Sequence, residues 1–587
     1  MNTKRIGPLR RVQALAFLAV LVCAGCHRRE IPPEVSQIIQ ATVESQTLPV
    51  SIKKEKERAR AWEVMHRFYQ NRQFKPAWLT AEKPRPQAQE LLKAIDASAA
   101  EGLDPRRYQK ERLASLLHEV EELKSYDDPA AQRLLAYTDM HLTYTFLTLA
   151  SHLATGRQQP ETLRIDWYTK PRSVDLDARL EKSLADAGNL DDALRTLRPP
   201  EDGYKPLINA LARYRQIAAQ GGWQEIAPAE KLVPGSRSES VGRLKARLRA
   251  EGDLVETPQS AGTASPGAPS SGRLNDEEYI FDESVTAAVA RFQKRYGLEV
   301  TGKVDKDTLA EMDVPVADRI RQIEINLERW RWMPSDFGER YIRVNIPEFK
   351  MALINHGKPE LEMRVVVGKA QQSRTPVFSD KMTYLELNPA WNIPPGIAEE
   401  EILPKVANDP GYLASHNMEM VQEGSHTRIR QRPGPDNPLG QVKFMFPNEF
   451  DIYLHDTPAD HLFAEAERDF SHGCIRLERP MDLAHVLLKD SDWTPDKLQA
   501  ALASGEQKTI TLPHPLPVHL LYFTAWVDKD GTVEFRRDVY GHDAKLAKAL
   551  AEEPIVELDL DAVRGQERAG HVEGADATPS THQAGTT

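Results

Sequence analysis

Two short segments carry residue types that could perform covalent chemistry. Residues 453–458 read Tyr-Leu-His-Asp-Thr-Pro, and residues 471–477 read Ser-His-Gly-Cys-Ile-Arg-Leu. A thiol with an ordinary pKa near ~8.5 is mostly protonated at neutral pH, so a nucleophilic cysteine needs a neighbouring base or cation. Histidine titrates in the suitable range. The two segments therefore predict that Cys474 is a nucleophile and that His455 is its general base.

The backbone around these residues suits such a site. His455 ends a predicted strand over residues 450–455, and strand ends hold reactive groups on a rigid scaffold. Gly473 permits a tight chain path in which successive amide N–H groups converge on one point. Such an oxyanion hole contributes roughly 3–4 kcal/mol per donor. Ile475 and Leu477 predict a partly buried strand after the cysteine, and Pro480 begins a helix predicted to reach about residue 489.

Two other interpretations of the cysteine stay open at this point. A single cysteine in a β domain is often a buried apolar filler, although its polar neighbours and adjacent glycine argue against that here. Metal binding by His455, His461, His472 and Cys474 is the second alternative. Neither Cys-x-x-Cys nor His-Glu-x-x-His spacing accompanies them, so no metal site is predicted.

Length and composition predict several soluble domains. A chain of 587 residues exceeds the roughly 250–300 residues at which one core stops growing. The hydrophobic fraction of 40% is ordinary for globular proteins, and the net charge of −11 argues against a nucleic-acid partner. The three cysteines are Cys23, Cys26 and Cys474, and the first two lie in the N-terminal segment. The folded body therefore holds one thiol and no internal disulfide.

The N-terminus has the pattern of an export signal over residues 1–26. A positive segment precedes an apolar stretch over residues 12–22, and Ala24-Gly25-Cys26 resembles a bacterial lipobox, with Cys23 where leucine is usual. We expect lipidation at Cys26, with ordinary cleavage and an uncleaved anchor as alternatives. Residues 27–51 then form a tether.

Helical periodicity dominates the next part of the chain, and residues 52–237 predict an all-α scaffold domain. The predicted helices cover residues 58–70, 88–99, 129–154 and 175–197. Residues 238–315 predict a small helical module, in which Asp282 caps a helix. Its Pro/Ser-rich insertion over residues 257–273 is predicted to be disordered.

From Tyr341 the period becomes two, which predicts a mostly β domain over residues 316–538. A long Pro-rich interruption occupies residues 395–446, and such stretches are usually lids or subdomains. Residues 539–587 form a C-terminal extension that is predicted to be largely disordered after residue 562.

The two motifs resemble the signature of the L,D-transpeptidase, or YkuD, domain. The segments around Trp330-Arg331-Trp332, Val367-Gly368-Lys369 and Asn388-Pro389-Ala390-Trp391 agree with it, and residues 238–312 resemble a three-helix peptidoglycan-binding module. The domain order is similar to that of the large Gram-negative L,D-transpeptidases. The resemblance implies a multidomain α+β protein, with a mostly β catalytic domain, a capping subdomain at about 395–446, the all-α scaffold and the small three-helix module.

The resemblance also implies residue roles. Cys474 matches the nucleophile and His455 the base, whose ring is oriented by the backbone carbonyl of Asp456. The amides of Gly473 and Cys474 match the oxyanion hole, beside His472. Ser471 and Arg476 match positions that hold the loop or meet the substrate carboxylate. Tyr453 and Asn448 are weaker candidates for the pocket wall.

The implied activity is the formation of 3→3 cross-links between peptidoglycan stem tetrapeptides, the donor and acceptor partners, through a thioester and without any cofactor. Carbapenems are expected to acylate the same thiol. An L,D-carboxypeptidase or endopeptidase, attachment of a lipoprotein to the wall, and a non-catalytic wall-binding scaffold lipoprotein are alternatives. The expected location is the periplasm, with a lipid tether in the outer membrane and association with other cell-wall synthesis proteins.

Overall fold

The computed structural model describes residues 30–45, 50–51, 55–170, 172–185, 189–200, 202–226, 232–255, 276–371, 373–423, 426–552 and 557–558. Three predictions fall outside these residues: the signal segment with Cys26, the insertion over residues 257–273, and the tail after residue 562.

Among the described residues, seven helices form the N-terminal core, and one of them is a long central helix. Asp128 caps the central helix by accepting a hydrogen bond from the amide of Ala130, and Pro129 occupies its first turn. This helix is buried along most of its length, and most of the other helices pack directly on it. The seven are α1 (Pro33–Ser45), α2 (Glu55–Asn71), α3 (Pro86–Ser98), α4 (Lys110–Glu121), the central α5 (Pro129–Thr155), α6 (Leu176–Leu184) and α7 (Leu190–Arg195).

Part of the tether predicted over residues 27–51 is in fact a helix of the scaffold core. Residues 33–45 form α1, whose Val35, Ile39 and Val43 are buried in the scaffold core. These apolar residues recur every four positions, so they share one helix face. Beyond α1, strand β1 (Val50–Ser51) pairs with a short C-terminal strand, β16 (Glu557–Leu558). The scaffold therefore begins before residue 52.

The helix predicted over residues 175–197 is in fact two helices, α6 and α7. The carboxylate of Asp175 accepts a hydrogen bond from the amide of Ala178 at 3.2 Å, which starts α6. The side chain of Asn189 accepts one from the amide of Asp192 at 3.0 Å, which starts α7. A second capping residue inside an apolar period marks a second helix start.

A second, larger core joins the remaining helices to the β domain. Helix α8 (Tyr204–Ala219) belongs to this core, although it was predicted within the scaffold. The small module contributes α9 (Glu239–Glu251), α10 (Glu283–Arg295) and α11 (Lys306–Met312), and Asp282 caps α10 as predicted. Helix α12 (Val316–Trp332) connects the module to the β domain and is extensively buried.

The C-terminal domain is built on a nine-stranded mixed sheet. Its strand order is β11-β4-β12-β10-β9-β5-β13-β2-β3, and the last strand, β3, also pairs with the second, β4, so the sheet closes on itself between β3 and β4. The strands are β2 (Arg340–Asn345), β3 (Lys350–Asn355), β4 (Lys358–Gly368), β5 (Ser379–Leu387), β9 (Val442–Met445), β10 (Leu454–His455), β11 (Asp469–Ser471), β12 (Ile475–Leu477) and β13 (Lys508–Leu521).

The interruption after β5 is a subdomain with its own small apolar cluster of Ile393, Ile402 and Ile429. It contains β6 (Trp391–Asn392), α13 (Pro395–Ile397), a π-helical turn (Ala398–Ile402), α14 (Leu403–Asn408), α15 (Tyr412–Ser415), β7 (Met418–Glu423) and β8 (His426–Gln431). The capping subdomain ends before residue 446, its predicted boundary, because β9 lies in the main sheet.

The remaining elements cover the sheet and close the chain. They are α16 (Pro480–Leu487), α17 (Pro495–Ala503), β14 (Ala525–Val527), β15 (Val533–Phe535) and α18 (His542–Glu552). Helix α18 therefore orders part of the predicted C-terminal extension. Within the described ranges, no helix has the length and hydropathy needed to cross a membrane.

Candidate active site

The two motif segments meet at one cavity of about 850 Å³ between the main sheet and the capping subdomain. Strand β10 pairs with β12 in parallel, with Leu454 opposite Ile475 and His455 opposite Arg476. This register brings the two segments to the same edge of the cavity. The predicted site residues that line the cavity are Asn448, Tyr453, His455, Ser471, His472, Cys474 and Arg476.

The buried ring of His455 is fixed by its neighbour in sequence. Its Nδ1 lies 2.5 Å from the carbonyl oxygen of Asp456. A carbonyl only accepts, so Nδ1 carries the proton and Nε2 keeps its lone pair. Burial, reinforced by the charge of Arg476, lowers the pKa of His455 to about 3. The imidazole is therefore neutral at pH 7 and able to accept a proton.

The side chain of Asp456 has a different task. Its carboxylate accepts hydrogen bonds at 2.7 Å from the amides of both Gln441 and Thr457. The orienting contact to His455 thus comes from the backbone carbonyl, while the carboxylate organises the surrounding turn. This geometry is the one that the predicted role requires.

The half-buried sulfur of Cys474 faces several polar groups. Its hydrogen bond goes to the carbonyl oxygen of Asp451, at 3.6 Å. Burial raises the pKa of Cys474 to about 11, whereas the backbone and hydroxyl of Tyr453 and the ammonium of Lys443 act to lower it. The thiol is therefore protonated at neutral pH.

No hydrogen bond joins the His455 ring to the Cys474 sulfur in the part of the chain that the structure describes. Hydrogen bonds between a nucleophile and its base often lengthen without substrate and tighten in the complex. The thiol proton points to the Asp451 carbonyl here, so it must turn toward Nε2 before transfer.

The turn before Cys474 differs from the prediction in one respect. The Gly473 amide donates to the hydroxyl oxygen of Ser471 at 3.1 Å, so it is already committed and is not a free oxyanion donor. Ser471 in turn donates to the carbonyl oxygen of Cys474 at 2.5 Å. Ser471 therefore holds the loop, and the Cys474 amide is the remaining backbone candidate. Gly473 has a φ of 115°, a conformation that favours glycine.

Three residues that were not predicted as site residues hold the turn before Cys474 through hydrogen bonds: Thr375, Gly368 and Tyr540. Thr375 donates to the carbonyl oxygen of Gly473 at 2.6 Å and accepts from the amide of Gly368 at 2.9 Å. The hydroxyl of Tyr540 donates to the carbonyl oxygen of Gly368 at 2.6 Å. Gly368 lies in Val367-Gly368-Lys369, one of the flanking segments that agree with the family signature, whereas nothing in the sequence marks Tyr540.

The segment before Tyr453 is a loop, not the strand that was predicted from residue 450. Asn448 donates to the carbonyl oxygens of Phe446 and Ile452 at 2.6 and 2.8 Å, and its own oxygen accepts from Phe450 and Ile452 amides. Asp451 adopts a left-handed φ of 54°. Asn448 therefore shapes the loop that presents the Asp451 carbonyl to the sulfur.

Arg476 and His472 flank the cavity in different ways. Arg476 is largely buried, and its Nε has no hydrogen-bond partner among the described residues. Burial lowers the pKa of Arg476, which is offset in part by the nearby thiol. The Nε2 of His472 lies 2.8 Å from a carboxylate oxygen of Glu401, so the motif contacts the capping subdomain directly.

A second cavity of about 510 Å³ adjoins the first and shares Phe450, Ile452 and His472 with it. Asp166 and Tyr168, from the segment after the scaffold helices, form part of its wall. The amide of Tyr168 donates to the carbonyl oxygen of Val377 at 2.7 Å, which fixes this segment to the β domain. Among the described residues, His, Cys, Asp and Glu side chains form no cluster suited to a metal ion.

Comparisons with known proteins agree with this geometry. Residues 339–495 match the family model described as the L,D-transpeptidase catalytic domain. Residues 63–211 match the model of a scaffold domain, and residues 237–312 match one described as "Putative peptidoglycan binding domain". Over these three regions the chain is therefore similar to a scaffold domain, a peptidoglycan-binding-type module and an L,D-transpeptidase catalytic domain.

A curated protein of Haemophilus influenzae, named "Putative L,D-transpeptidase", is 35% identical over 261 residues. The match covers 42% of this chain and 51% of the relative, so it spans about half the length of that protein.

Solved structures with similarity include an L,D-transpeptidase from Xylanimonas cellulosilytica, with 14% identity and a TM-score of 0.15, covering 50% of this chain and 99% of that one. An L,D-transpeptidase from Stackebrandtia nassauensis has 13% identity and a TM-score of 0.19, covering 50% and 97% of the two chains.

Proposed function

We propose that the chain is a cysteine L,D-transpeptidase that forms 3→3 cross-links between peptidoglycan stem peptides. The observation that carries the proposal is the hydrogen bond from His455 Nδ1 to the Asp456 carbonyl, because it leaves the Nε2 lone pair available in the cavity of the one described thiol. A neutral imidazole beside a neutral thiol is suited to general-base catalysis.

The first step transfers an acyl group to sulfur. The Cys474 proton moves to Nε2 of His455 while the sulfur attacks the carbonyl carbon between the third stem residue and the terminal D-Ala. The carbonyl π electrons move to oxygen, where the Cys474 amide donates. On collapse the C–N bond breaks, the D-Ala amine takes the proton from His455, and a thioester remains.

The second step transfers the acyl group to an amine. The side-chain amine of an acceptor stem, of the diaminopimelate type, attacks the thioester carbonyl. His455 takes a proton from the attacking nitrogen and returns it to the sulfur, whose C–S bond breaks. The product is a peptide bond between third residues, and the enzyme is regenerated. No step requires a cofactor.

Arg476 supports recognition of an anionic donor. The stem peptide ends in a carboxylate, and a guanidinium with a buried, unused N–H is a suitable partner for it. The capping subdomain supports the choice of acceptor, because a covered cavity disfavours attack by water. The Glu401–His472 contact at 2.8 Å is where that cover meets the motif.

The test is intact-mass spectrometry after incubation with a purified tetrapeptide. Wild type is expected to gain the mass of the tripeptide acyl group, and Cys474→Ala is expected to gain none. His455→Gln should form the adduct at least about a hundredfold more slowly, because a general base contributes about 10²–10⁴ in rate. An adduct that persists in Cys474→Ala contradicts the proposal.

Product analysis separates the related reactions that use the same site. A cross-linked dimer supports transpeptidation, and free tripeptide without dimer identifies a carboxypeptidase. Carbapenems are also expected to acylate Cys474, which the same mass measurement detects.

We infer a periplasmic location, tethered through lipidated Cys26 and favouring the outer membrane, with the module at residues 237–312 binding the wall. The lipobox-like Ala24-Gly25-Cys26 supports the tether. Metabolic labelling with a fatty-acid probe is expected to mark wild type and not Cys26→Ala.

A further inference from the structure

Lys443 lies in a row of polar side chains that crosses the catalytic sheet. Glu386 on β5 is paired with Lys443 on β9, and Lys443 is paired with His455 on β10. His455 is paired with Arg476 on β12. Directly opposed residues project from the same face of a sheet, so all four side chains share the cavity face. The adjacent row runs through buried Leu385, Phe444, Leu454 and Ile475 and forms the core.

The ammonium group of Lys443 has unused binding capacity. Its Nζ lies 4.1 Å from the centre of the Tyr453 ring and 3.9 Å from the carboxylate of Glu386. It makes no hydrogen bond to any residue that the structure describes. The side chain is only 16% exposed, and it lines the cavity that also holds Cys474. The ion pair with Glu386 is long, at 3.9 Å, and a nearly buried cation with only a long ion pair is stabilised further when an anion forms beside it.

We propose that Lys443 is an electrostatic positioning residue for Cys474. The ammonium group of Lys443, which lies over the Tyr453 ring, stabilises the Cys474 thiolate as His455 removes the thiol proton. This inference rests on the proposed acyl transfer and names a residue that neither motif contains. The proton passes from sulfur to Nε2 of His455, and the negative charge left on sulfur lies in the cavity that Lys443 also lines.

The electrostatics of the surrounding groups agree with this role. The groups near the sulfur are Tyr453, Lys443, Asp451 and Arg476. Tyr453 and Lys443 lower the pKa of Cys474 and Asp451 raises it, against the dominant effect of burial. Arg476 lines the same cavity, and the thiol in turn raises the pKa of Arg476. Burial lowers the pKa of Lys443, while Glu386, Cys474 and Asp451 raise it. Lys443 and Arg476 also disfavour a proton on His455, so the imidazolium readily passes its proton to the leaving amine.

A purely structural role makes a different prediction. If Lys443 only ties β9 to β5 through Glu386, loss of either partner should have the same effect. If Lys443 acts on the sulfur, the two changes should have opposite effects, because Glu386 competes with the thiolate for the ammonium.

The experiment measures alkylation of Cys474 by iodoacetamide in the full chain from pH 6 to 11, with mass spectrometry of the peptide that contains Cys474. At pH values below the pKa of the thiol, Lys443→Met is expected to slow alkylation about tenfold. An opposite charge near a titrating group changes the pKa of that group by about 1–3. Lys443→Arg should restore most of the rate. Glu386→Gln should increase the rate at pH 7.5.

Lys381→Met is the matched control, because Lys381 is exposed on the same strand as Glu386. It should leave the profile unchanged, and thermal melting shows whether each variant is folded. The proposal is overturned if the Lys443→Met profile superimposes on wild type, if Lys443→Arg fails to rescue it, or if Glu386→Gln slows alkylation as well. Alkylation needs no stem peptide, so its outcome is independent of whether the tetrapeptide adduct forms.

Discussion

Burial determines the protonation state of the two residues at the centre of the site. It raises the pKa of Cys474 to about 11 and lowers the pKa of His455 to about 3. At pH 7 the resting pair is therefore a neutral thiol and a neutral imidazole, unlike the thiolate–imidazolium pair of many cysteine enzymes. Proton transfer must accompany substrate attack, and the pH dependence should reveal this.

The thiolate fraction of a thiol below its pKa rises tenfold per pH unit, so alkylation of Cys474 should rise about tenfold per unit from pH 7 to 9. His455 loses its basic function only as the pH falls toward its own low pKa. The acid limb of donor-peptide acylation should therefore lie below about pH 5 and not near the ordinary histidine value of about 6.5. The rate of Cys474 alkylation, measured from pH 7 to 9, tests the rise with pH. The rate of acylation by the donor peptide, measured at lower pH, tests the acid limb. A plateau of alkylation by pH 8, or an acid limb near pH 6.5, contradicts this account.

Residue types and local spacing were enough to predict Cys474 and His455 as a pair, and the structure places both at one cavity. The contact between the Asp456 carbonyl and His455 was implied by the family resemblance and not by the spacing. Lys443 could not be predicted in this way. It lies 31 positions before Cys474 and reaches the site only through the register of β9 against β10. Cross-strand register depends on the whole sheet, which a local pattern does not specify.

At the scale of elements, the end of β4 is where the sheet supports the reactive turn. A Cβ added at Gly368 would lie 1.9 Å from the carbonyl oxygen of Ser373 and 2.9 Å from the Cα of Gly473. Both contacts are to backbone, which cannot rotate away. The close approach lets Thr375 hold the Gly368 amide and the Gly473 carbonyl together.

Gly368→Ala is therefore expected to displace the turn before Cys474. Overpacking of this kind typically costs about 1–3 kcal/mol, and tetrapeptide acylation should fall by at least about tenfold. Thermal melting and adduct formation measure the two effects. Gly396→Ala is the matched control, since a Cβ there meets nothing within 4 Å. Equal behaviour of the two variants would show that the approach of β4 is not required.

Helices that begin at a capping residue or a proline were predicted well from the sequence. Elements whose conformation depends on contacts with other parts of the fold were not. The N-cap at Asp282 and the helix from Pro129 follow from adjacent residues. The loop before Tyr453 alternates like a strand, yet the four hydrogen bonds of Asn448 give it another conformation. Strand β9 falls inside a Pro-rich stretch, and only its pairing with β5 and β10 assigns it to the main sheet.

At the scale of the whole molecule, buried charges join the peptidoglycan-binding-type module to the rest of the protein. Arg295 of α10 lies 2.5 Å from the carboxylate of Glu251 and 2.7 Å from that of Asp253. Arg295 also donates to the carbonyl oxygen of Val533 in the β domain, at 3.1 Å. The hydroxyl of Tyr214 on α8 donates to Glu251 at 2.5 Å. The module, α8 and the β domain thus share one buried network.

Glu251 is the anion on which this network depends. Burial would raise its pKa, but Arg247 and Arg295 outweigh that effect and hold the pKa well below the ordinary value. Glu251→Gln keeps the shape of the side chain and removes its charge, which leaves two buried guanidinium groups with Asp253 as their remaining carboxylate. Breaking a buried ion pair in this way typically costs about 3–5 kcal/mol.

We therefore expect Glu251→Gln to lower the unfolding free energy by about that amount and to separate the module from the rest of the protein before global unfolding. Calorimetry should show an early transition, and limited proteolysis should cleave near residues 232–238, just before α9. Glu239→Gln, an exposed change in the first turn of α9, should stay within about 0.5 kcal/mol of wild type. Because none of the network residues lines the Cys474 cavity, alkylation of that thiol at low temperature should not change in either variant. A single, unshifted transition in Glu251→Gln would mean that apolar contacts alone hold the module in place.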